Sequence, residues 1–229
     1  ILDQNSSTLS STMLSFLKLR QDKHSEALEV TPLTLGCLLF VFFLSYFTYF
    51  HGFQNPQGFF WDENYHVASA QKYLNGIFFM ELHPPLGKLL IAAGEKLLDA
   101  SSNDSQFIHT DYARGDFTDG FSITGYRFLP VLLAWFAAPV FFFIFLLLTR
   151  SPLSATLLSF LYVFDNALIV QLRGAMLEGP LIFFVALTIL FFFMVLEWQK
   201  DNKLFTVASL LFGIALACAA TTKLLGLIL

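Results

Sequence analysis

Five runs of apolar residues, roughly 31–50, 128–148, 152–170, 176–196 and 204–222, each come close to the ~20 residues an α-helix needs to cross a bilayer. In hydrocarbon every backbone N–H and C=O must be satisfied within the segment, so runs of this length dictate helices. Composition agrees. Hydrophobic residues make up 56% and charged residues 13%, where a soluble domain carries about 25% charge, and the mean hydropathy is +0.65. The sequence therefore predicts an all-α polytopic membrane protein. A net charge of −4 leaves no basic footprint for nucleic acid. Cys37 and Cys218 both fall inside apolar runs and read as packing residues. The first residue is Ile and the last four are Gly226-Leu227-Ile228-Leu229, in mid-hydrophobic sequence, so the chain reads as the N-terminal piece of a longer membrane protein.

Residues 1–30 are polar and Ser/Thr-rich, the composition of a tail or a short surface helix. The transmembrane part then occupies 31–229. Between the first two runs lies a loop of about 75 residues, Gly52 to Tyr126, too long for a simple connection. The pattern predicts a short helix over 62–74, ended by Asn75-Gly76, and a second over 85–98. In the second, Leu86, Leu89, Leu90, Ala93 and Leu97 fall at helical spacing, with Lys88, Glu95, Lys96 and Asp99 on the other side, a pattern suited to the membrane interface. Residues 99–119, rich in Ser, Asn, Asp and Gly, read as exposed loop.

Lys and Arg in the short loops set orientation. With the N-terminus inside, the cytoplasmic side holds Lys18, Arg20, Lys23, Arg150, Lys200 and Lys203, and the long loop 51–127 is external. Asp62, Glu63, His83, Lys88, Arg127, Asp165, Arg173 and Glu178 all come out on the loop's side. Charges this dense beside lipid-facing sequence are costly without a role. They suit transfer of a sugar from a lipid phosphate to a hydroxyl: a carboxylate base activates the acceptor, a cation stabilises the phosphate leaving group, and the donor's tail stays in the bilayer. No Asp-x-Asp, GxGxxG or P-loop points to a nucleotide sugar.

The stretch WDENYHVASAQKYLNGIFFMELHPPLGKLL, from Trp61 to Leu90, resembles the first lumenal loop of the protein O-mannosyltransferases. The likeness continues in Gly125-Tyr126-Arg127-Phe128-Leu129-Pro130, in Asp165-Asn166-Ala167-Leu168 with Arg173 and Glu178, and in Lys223-Leu224-Leu225-Gly226-Leu227. It implies a GT-C type membrane glycosyltransferase that moves mannose from a polyprenyl- or dolichyl-phosphate carrier to Ser or Thr hydroxyls of acceptor proteins on the non-cytoplasmic side, with inversion. By the same resemblance Asp62 is the base. Glu63 orients its neighbours or helps bind the acceptor, and Arg127 pairs with the acids and fixes the loop. His83, Lys88 and Arg173 are candidates for the phosphate side. Asp165 and Glu178 belong to the shared pattern, although these enzymes more often have Asp at the second position. The structural alternatives are that Asp165 caps a helical turn and that His66, one turn after Asp62, only hydrogen-bonds locally. The lipid-linked sugar is a co-substrate and no further cofactor is expected; the chemistry neither requires a divalent metal nor conflicts with one. The bilayer is an expected partner, and a dimer is compatible with this reading. The short, plain outer loop favours a bacterial cell membrane, with the endoplasmic reticulum membrane as the alternative. Two rivals stand beside this reading: a transferase of the same architecture that modifies a lipid or cell-envelope glycan, and a non-catalytic membrane transport or assembly subunit.

Overall fold

The computed structural model describes residues 31–114 and 117–228, and the 1–30 segment read above as a tail lies outside the described residues. In chain order the helices are α1 (Pro32–Ser45, continued by a π-helical turn, Tyr46–Phe50), α2 (Glu63–Leu74), α3 (Leu86–Leu98), α4 (Thr124–Thr149), α5 (Pro152–Val163), α6 (Asn166–Leu172), α7 (Glu178–Glu197) and α8 (Asn202–Thr222), with a 3-10 turn at Leu224–Ile228. The described residues contain no strand. Four helices, α1 with its π turn, α4, α7 and α8, are long and apolar enough to cross a membrane, and α5 with α6 makes a fifth if that bent pair is one span. The fold is an all-α polytopic membrane bundle.

The third apolar run, expected as one helix over 152–170, is instead bent by 61° between α5 and α6. Asp165 causes the break. Its backbone turns extended and its side chain accepts from Leu168 N–H at 2.9 Å, starting a new helix. In the bundle, α7 packs on α8, α4 on α5 and α7, and α1 on α4 and α5. Fully buried Ala134, Ala137, Ala138 and Ala186 line these seams; small residues let helix backbones approach closely in lipid.

The loop after α1 folds into a cap of α2, α3 and an irregular segment. Its core joins Val67 and Ala68 of α2, Ile91 and Ala92 of α3, and Phe107 and Ala113 of the 99–119 segment. That segment is an irregular, largely exposed loop, as its composition suggests, pinned to the cap by buried Ser101, Phe107 and Ala113. Gln71, fully buried, donates to Asn103 O (3.3 Å) and the Tyr126 hydroxyl (3.2 Å) and accepts from Phe107 N–H (2.7 Å). Lys72 adds an ion pair to Asp111. These side-chain anchors satisfy an irregular backbone that no helix could.

Helix α3 turns two of its charged residues, Lys88 and Glu95, inward and leaves Lys96 exposed. Gly87, Lys88, Ile91, Ala92, Gly94 and Glu95 are buried, whereas Leu89, Leu97 and Leu98 are exposed. Contact with α4 is close: a Cβ on Gly94 would lie 2.6 Å from Gly125 O. Beside it, Glu95 accepts from Ser101 N–H at 2.7 Å through Oε1, while buried Oε2 has no partner among the described residues. Burial pushes the Glu95 carboxyl up to about 7; the Ser101 amide opposes the shift and the negative charges of Asp104 and Asp99 add to it.

Candidate active site

Two adjacent carboxylates at the start of α2 have opposite environments. Glu63 is fully buried. It forms a bidentate pair with Arg127, Oε1 to Nε and Oε2 to Nη2, both at 2.7 Å. It also accepts from Phe60 N–H (2.7 Å) and Ala175 N–H (2.6 Å). The remaining Arg127 donors reach Pro56 O and Gly58 O, each at 2.7 Å, and Phe53 O at 3.5 Å. One ion pair thus ties α2, the segment after α1, the start of α4 and the turn before α7. Gly174 permits it, because a Cβ there would sit 2.9 Å from Glu63 Oε1.

Asp62 is exposed and its carboxylate has no partner among the described residues, not even an N-capping bond. Only its backbone carbonyl is engaged, accepting from Tyr65 and His66 N–H at 3.0 and 3.1 Å. The preceding Trp61 has φ +51, a left-handed conformation unusual for a bulky residue that costs about 1–3 kcal/mol and persists only where its surroundings impose it. Here Phe60 N–H is held by Glu63 and Asp62 C=O starts α2.

Asp62, His66 and Ser69 succeed one another along one face of α2, spanning about 10 Å at 1.5 Å per residue. Ser69 Oγ accepts from Lys88 Nζ at 3.1 Å, and Lys88, buried, also meets Glu81 Oε2 at 2.5 Å. His66 is buried and its Nδ1 has no partner among the described residues, so the local hydrogen bond expected of it is not made through Nδ1. Burial, with the charges of Lys88, His83 and Lys223, lowers its pKa to about 3, leaving a neutral imidazole. Burial acting alone would raise the Glu81 carboxyl; the hydrogen bond and charge of Lys88 outweigh it and hold the group below its ordinary value. Lys223, at the end of α8, pairs with Glu178 of α7 at 2.8 Å, and Glu178 Oε2 is buried without a partner among the described residues. Lys88, His83 and Lys223 are thus gathered around His66.

The structure places two sequence candidates elsewhere. Arg173 donates from Nη1 to Thr48 O (2.9 Å) and from Nη2 to His51 O (2.8 Å), closing the end of α1 and its π turn, and is not brought to Lys88. Burial and the charge of Arg127 lower its pKa. Asp165 is the exposed cap of α6. Sequence reasoning passed over Glu81 and left Lys223 out of the site. The available signals were a lone acid in the apolar run Ile77–Leu82 and a lysine ending an apolar span. Among the described residues no group of three His, Cys, Asp or Glu side chains is placed to hold a metal.

Residues 39–229 match the family described as dolichyl-phosphate-mannose-protein mannosyltransferase. The chain belongs to this family. It is 30% identical over 205 residues to dolichyl-phosphate-mannose--protein mannosyltransferase 1 of Saccharomyces cerevisiae, covering 86% of this chain and 24% of that protein. It is 31% identical over 189 residues to the protein of the same name in Candida albicans, covering 80% and 20%, and 30% identical over 154 residues to protein O-mannosyl-transferase 1 of Danio rerio, covering 67% and 21%. The chain thus spans about a fifth to a quarter of the length of these relatives. The match takes in all eight candidate residues, from Asp62 to Glu178, and also Lys223. Within this member of the mannosyltransferase family, the acidic pair is divided into one fully bonded carboxylate and one free one.

Proposed function

We propose that this chain carries the acceptor-activating and phosphate-binding part of a mannosyltransferase that moves mannose from a polyprenyl- or dolichyl-phosphate to Ser or Thr hydroxyls of proteins. The free, exposed carboxylate of Asp62, set beside a fully engaged Glu63–Arg127 pair, is the observation that carries this reading. Asp62 takes the proton of the acceptor hydroxyl as its oxygen attacks the anomeric carbon of mannose. The bond from that carbon to the phosphate oxygen breaks on the opposite face, so the configuration inverts. The phosphate leaves with the bonding pair, and Lys88, Lys223 and His83 stabilise its charge. Glu63, Arg127 and Arg173 hold the backbone that positions Asp62; in this reading the phosphate role expected of Arg173 passes to Lys223. Neutral His66 lies on α2 between Asp62 and Ser69, the residue that bonds Lys88.

The Lys and Arg distribution supports a site on the non-cytoplasmic side. The relatives named above come from animals and fungi, which supports the endoplasmic reticulum membrane over a bacterial one. The test is transfer from radiolabelled lipid-phosphate mannose in membranes holding the full-length protein, wild type beside Asp62→Asn. Label on protein that falls at least a hundredfold in the variant is expected. Normal transfer by Asp62→Asn would sink the proposal, and label moving to a lipid or glycan would keep the mechanism and replace the acceptor.

A further inference from the structure

Between the turn at Asn75-Gly76 and the His83-Pro84-Pro85 entry to α3, the chain is irregular and its residues alternate between partly buried and exposed. Phe79 and Glu81 turn inward: Phe79 packs edge-on against Tyr73 at 5.1 Å and beneath Lys72, and Glu81 pairs with Lys88. Phe78, Met80 and Leu82 turn outward and are 91%, 89% and 93% exposed. Three large apolar side chains in a row, each almost wholly uncovered, form a ridge that water would penalise. The only charge in the segment is Glu81, and it faces inward onto a lysine, so the outer side presents no charge at all.

The position of the ridge identifies its occupant. Gly87, at the start of α3, packs directly on the ends of two spans; a Cβ there would meet Leu177 Cδ2 at 2.7 Å and Thr222 Cγ2 at 3.2 Å. Leu82 is five residues earlier, within about 18 Å of those ends even at full extension. Beyond it, α3 also exposes Leu89 and Leu97. The backbone N–H groups of Phe78 to Glu81 have no partner among the described residues. In the hydrocarbon core they would stay unsatisfied, whereas in the headgroup zone water and phosphate reach them.

We propose that Phe78, Met80 and Leu82 form a lipid-seated ridge, inserted into the headgroup zone of the leaflet that faces the site. Seated there, the ridge holds Glu81, and through it Lys88, at the depth where the phosphate of a lipid-linked sugar lies. This last clause rests on the proposed transfer reaction.

The test places a nitroxide at Phe78→Cys, Met80→Cys or Leu82→Cys, one at a time, in the full-length protein without other reactive cysteines, in phosphatidylcholine nanodiscs. Collision with oxygen severalfold above collision with a water-soluble nickel chelate is expected at all three positions, with the reverse at the exposed control Asp111→Cys. Nickel accessibility at the ridge would place it in water and overturn the proposal. Protection from both reagents would mean that polypeptide covers the ridge, and would overturn it equally. This readout needs no transfer activity, so it stands or falls apart from the mannosyl-transfer reading. For the link to Lys88, the triple variant Phe78→Ser/Met80→Ser/Leu82→Ser is expected to raise KM for the lipid-linked donor about tenfold with kcat little changed. An unchanged KM beside lipid-positive labels would remove that link and leave the seat in place.

Discussion

Neutralising Glu63 and neutralising Asp62 are expected to have opposite consequences, although the residues are neighbours. Glu63→Gln keeps the shape of the side chain but leaves the buried Arg127 without its anion. Breaking a buried pair in this way costs about 3–5 kcal/mol. The new amide NH2 also points a donor where the Arg127 guanidinium and two backbone N–H groups already donate, stranding at least one amide at about 1–3 kcal/mol. The sum is roughly 4–8 kcal/mol, comparable with the whole stability of a domain. At about 2 °C per kcal/mol for a unit of this size, the midpoint should fall by about 8 °C or more. Asp62→Asn removes no contact and should stay within about 0.5 kcal/mol of wild type. Thermal unfolding of the full-length proteins in nanodiscs, followed by intrinsic fluorescence, measures both; transfer activity is assayed below the lower midpoint. Glu63→Leu/Arg127→Met should recover part of the loss, since no charge is then stranded, but not all, because Arg127 also closes three backbone carbonyls. A midpoint for Glu63→Gln within about 2 °C of wild type, with transfer abolished, would refute the division and make Glu63 a chemical group instead of an anchor.

The buried Glu95 should make the cap pH-dependent. Its folded pKa of about 7 lies above the unfolded value, so the folded state binds the extra proton and stability falls as pH rises from about 4.5 to about 7, by on the order of 2–3 kcal/mol. Glu95→Gln, a mimic of the protonated form, should flatten midpoints measured between pH 5 and 8 and raise the one at pH 8; an unchanged pH dependence would rule this out. Lys223→Gln should lower kcat/KM for the lipid-linked donor about 10–100-fold, the value of one charged hydrogen bond of about 1.5–3 kcal/mol. Its pair with Glu178 is partly exposed, so stability should change by less than about 1 kcal/mol. A normal donor titration would exclude Lys223 from the phosphate side. Asp165→Ala should cost about 1 kcal/mol by uncapping α6 and leave transfer intact; a hundredfold loss in a folded variant would return Asp165 to the chemistry.

The spans were legible because hydrocarbon imposes one length and one conformation. Runs read as 128–148, 176–196 and 204–222 appear as Thr124–Thr149, Glu178–Glu197 and Asn202–Thr222. The short helices at 62–74 and 85–98 were legible from period and stop signals, and emerge as Glu63–Leu74 and Leu86–Leu98. The cap at Asp165 was one of the two readings of that residue and is what the structure shows, but the bend it brings was not legible, because hydropathy does not register one polar residue in a long apolar run. The 99–119 segment was legible as a loop but its anchoring was not: a glutamine on a distant helix holds it over the core that buries Phe107 and Ala113, and long-range side-chain bonds leave no local pattern. Helix α3 shows the deeper limit. Its amphipathic period fixed two faces but not the mixture that is buried: Lys88 and Glu95 go inward beside Ile91 and Ala92, while Leu89, Lys96 and Leu97 are exposed.

The same reasoning accounts for an acidic pair where the proposed chemistry asks for a single base. Successive residues on a helix lie about 100° apart, so at the start of α2 one acid can point into the cap only if its neighbour points out. The longer side chain, Glu63, reaches Arg127 and the amides of Phe60 and Ala175, and so locks the turn from both ends. The shorter one, Asp62, is left unbonded, and with it comes the left-handed Trp61 that the lock sustains. A base need not be bonded to be well placed: if its backbone is immobilised by a buried neighbour, a two-torsion side chain has few places to go, and positioning of that kind accounts for much of the rate in reactions that bring two substrates together. Exchanging the two acids in the double variant Asp62→Glu/Glu63→Asp would conserve charge and composition yet shorten the anchor by one methylene and lengthen the base by one. The swapped protein should therefore lose both thermal midpoint and transfer. If it kept both, the geometry of the pair would not matter and only its charge would.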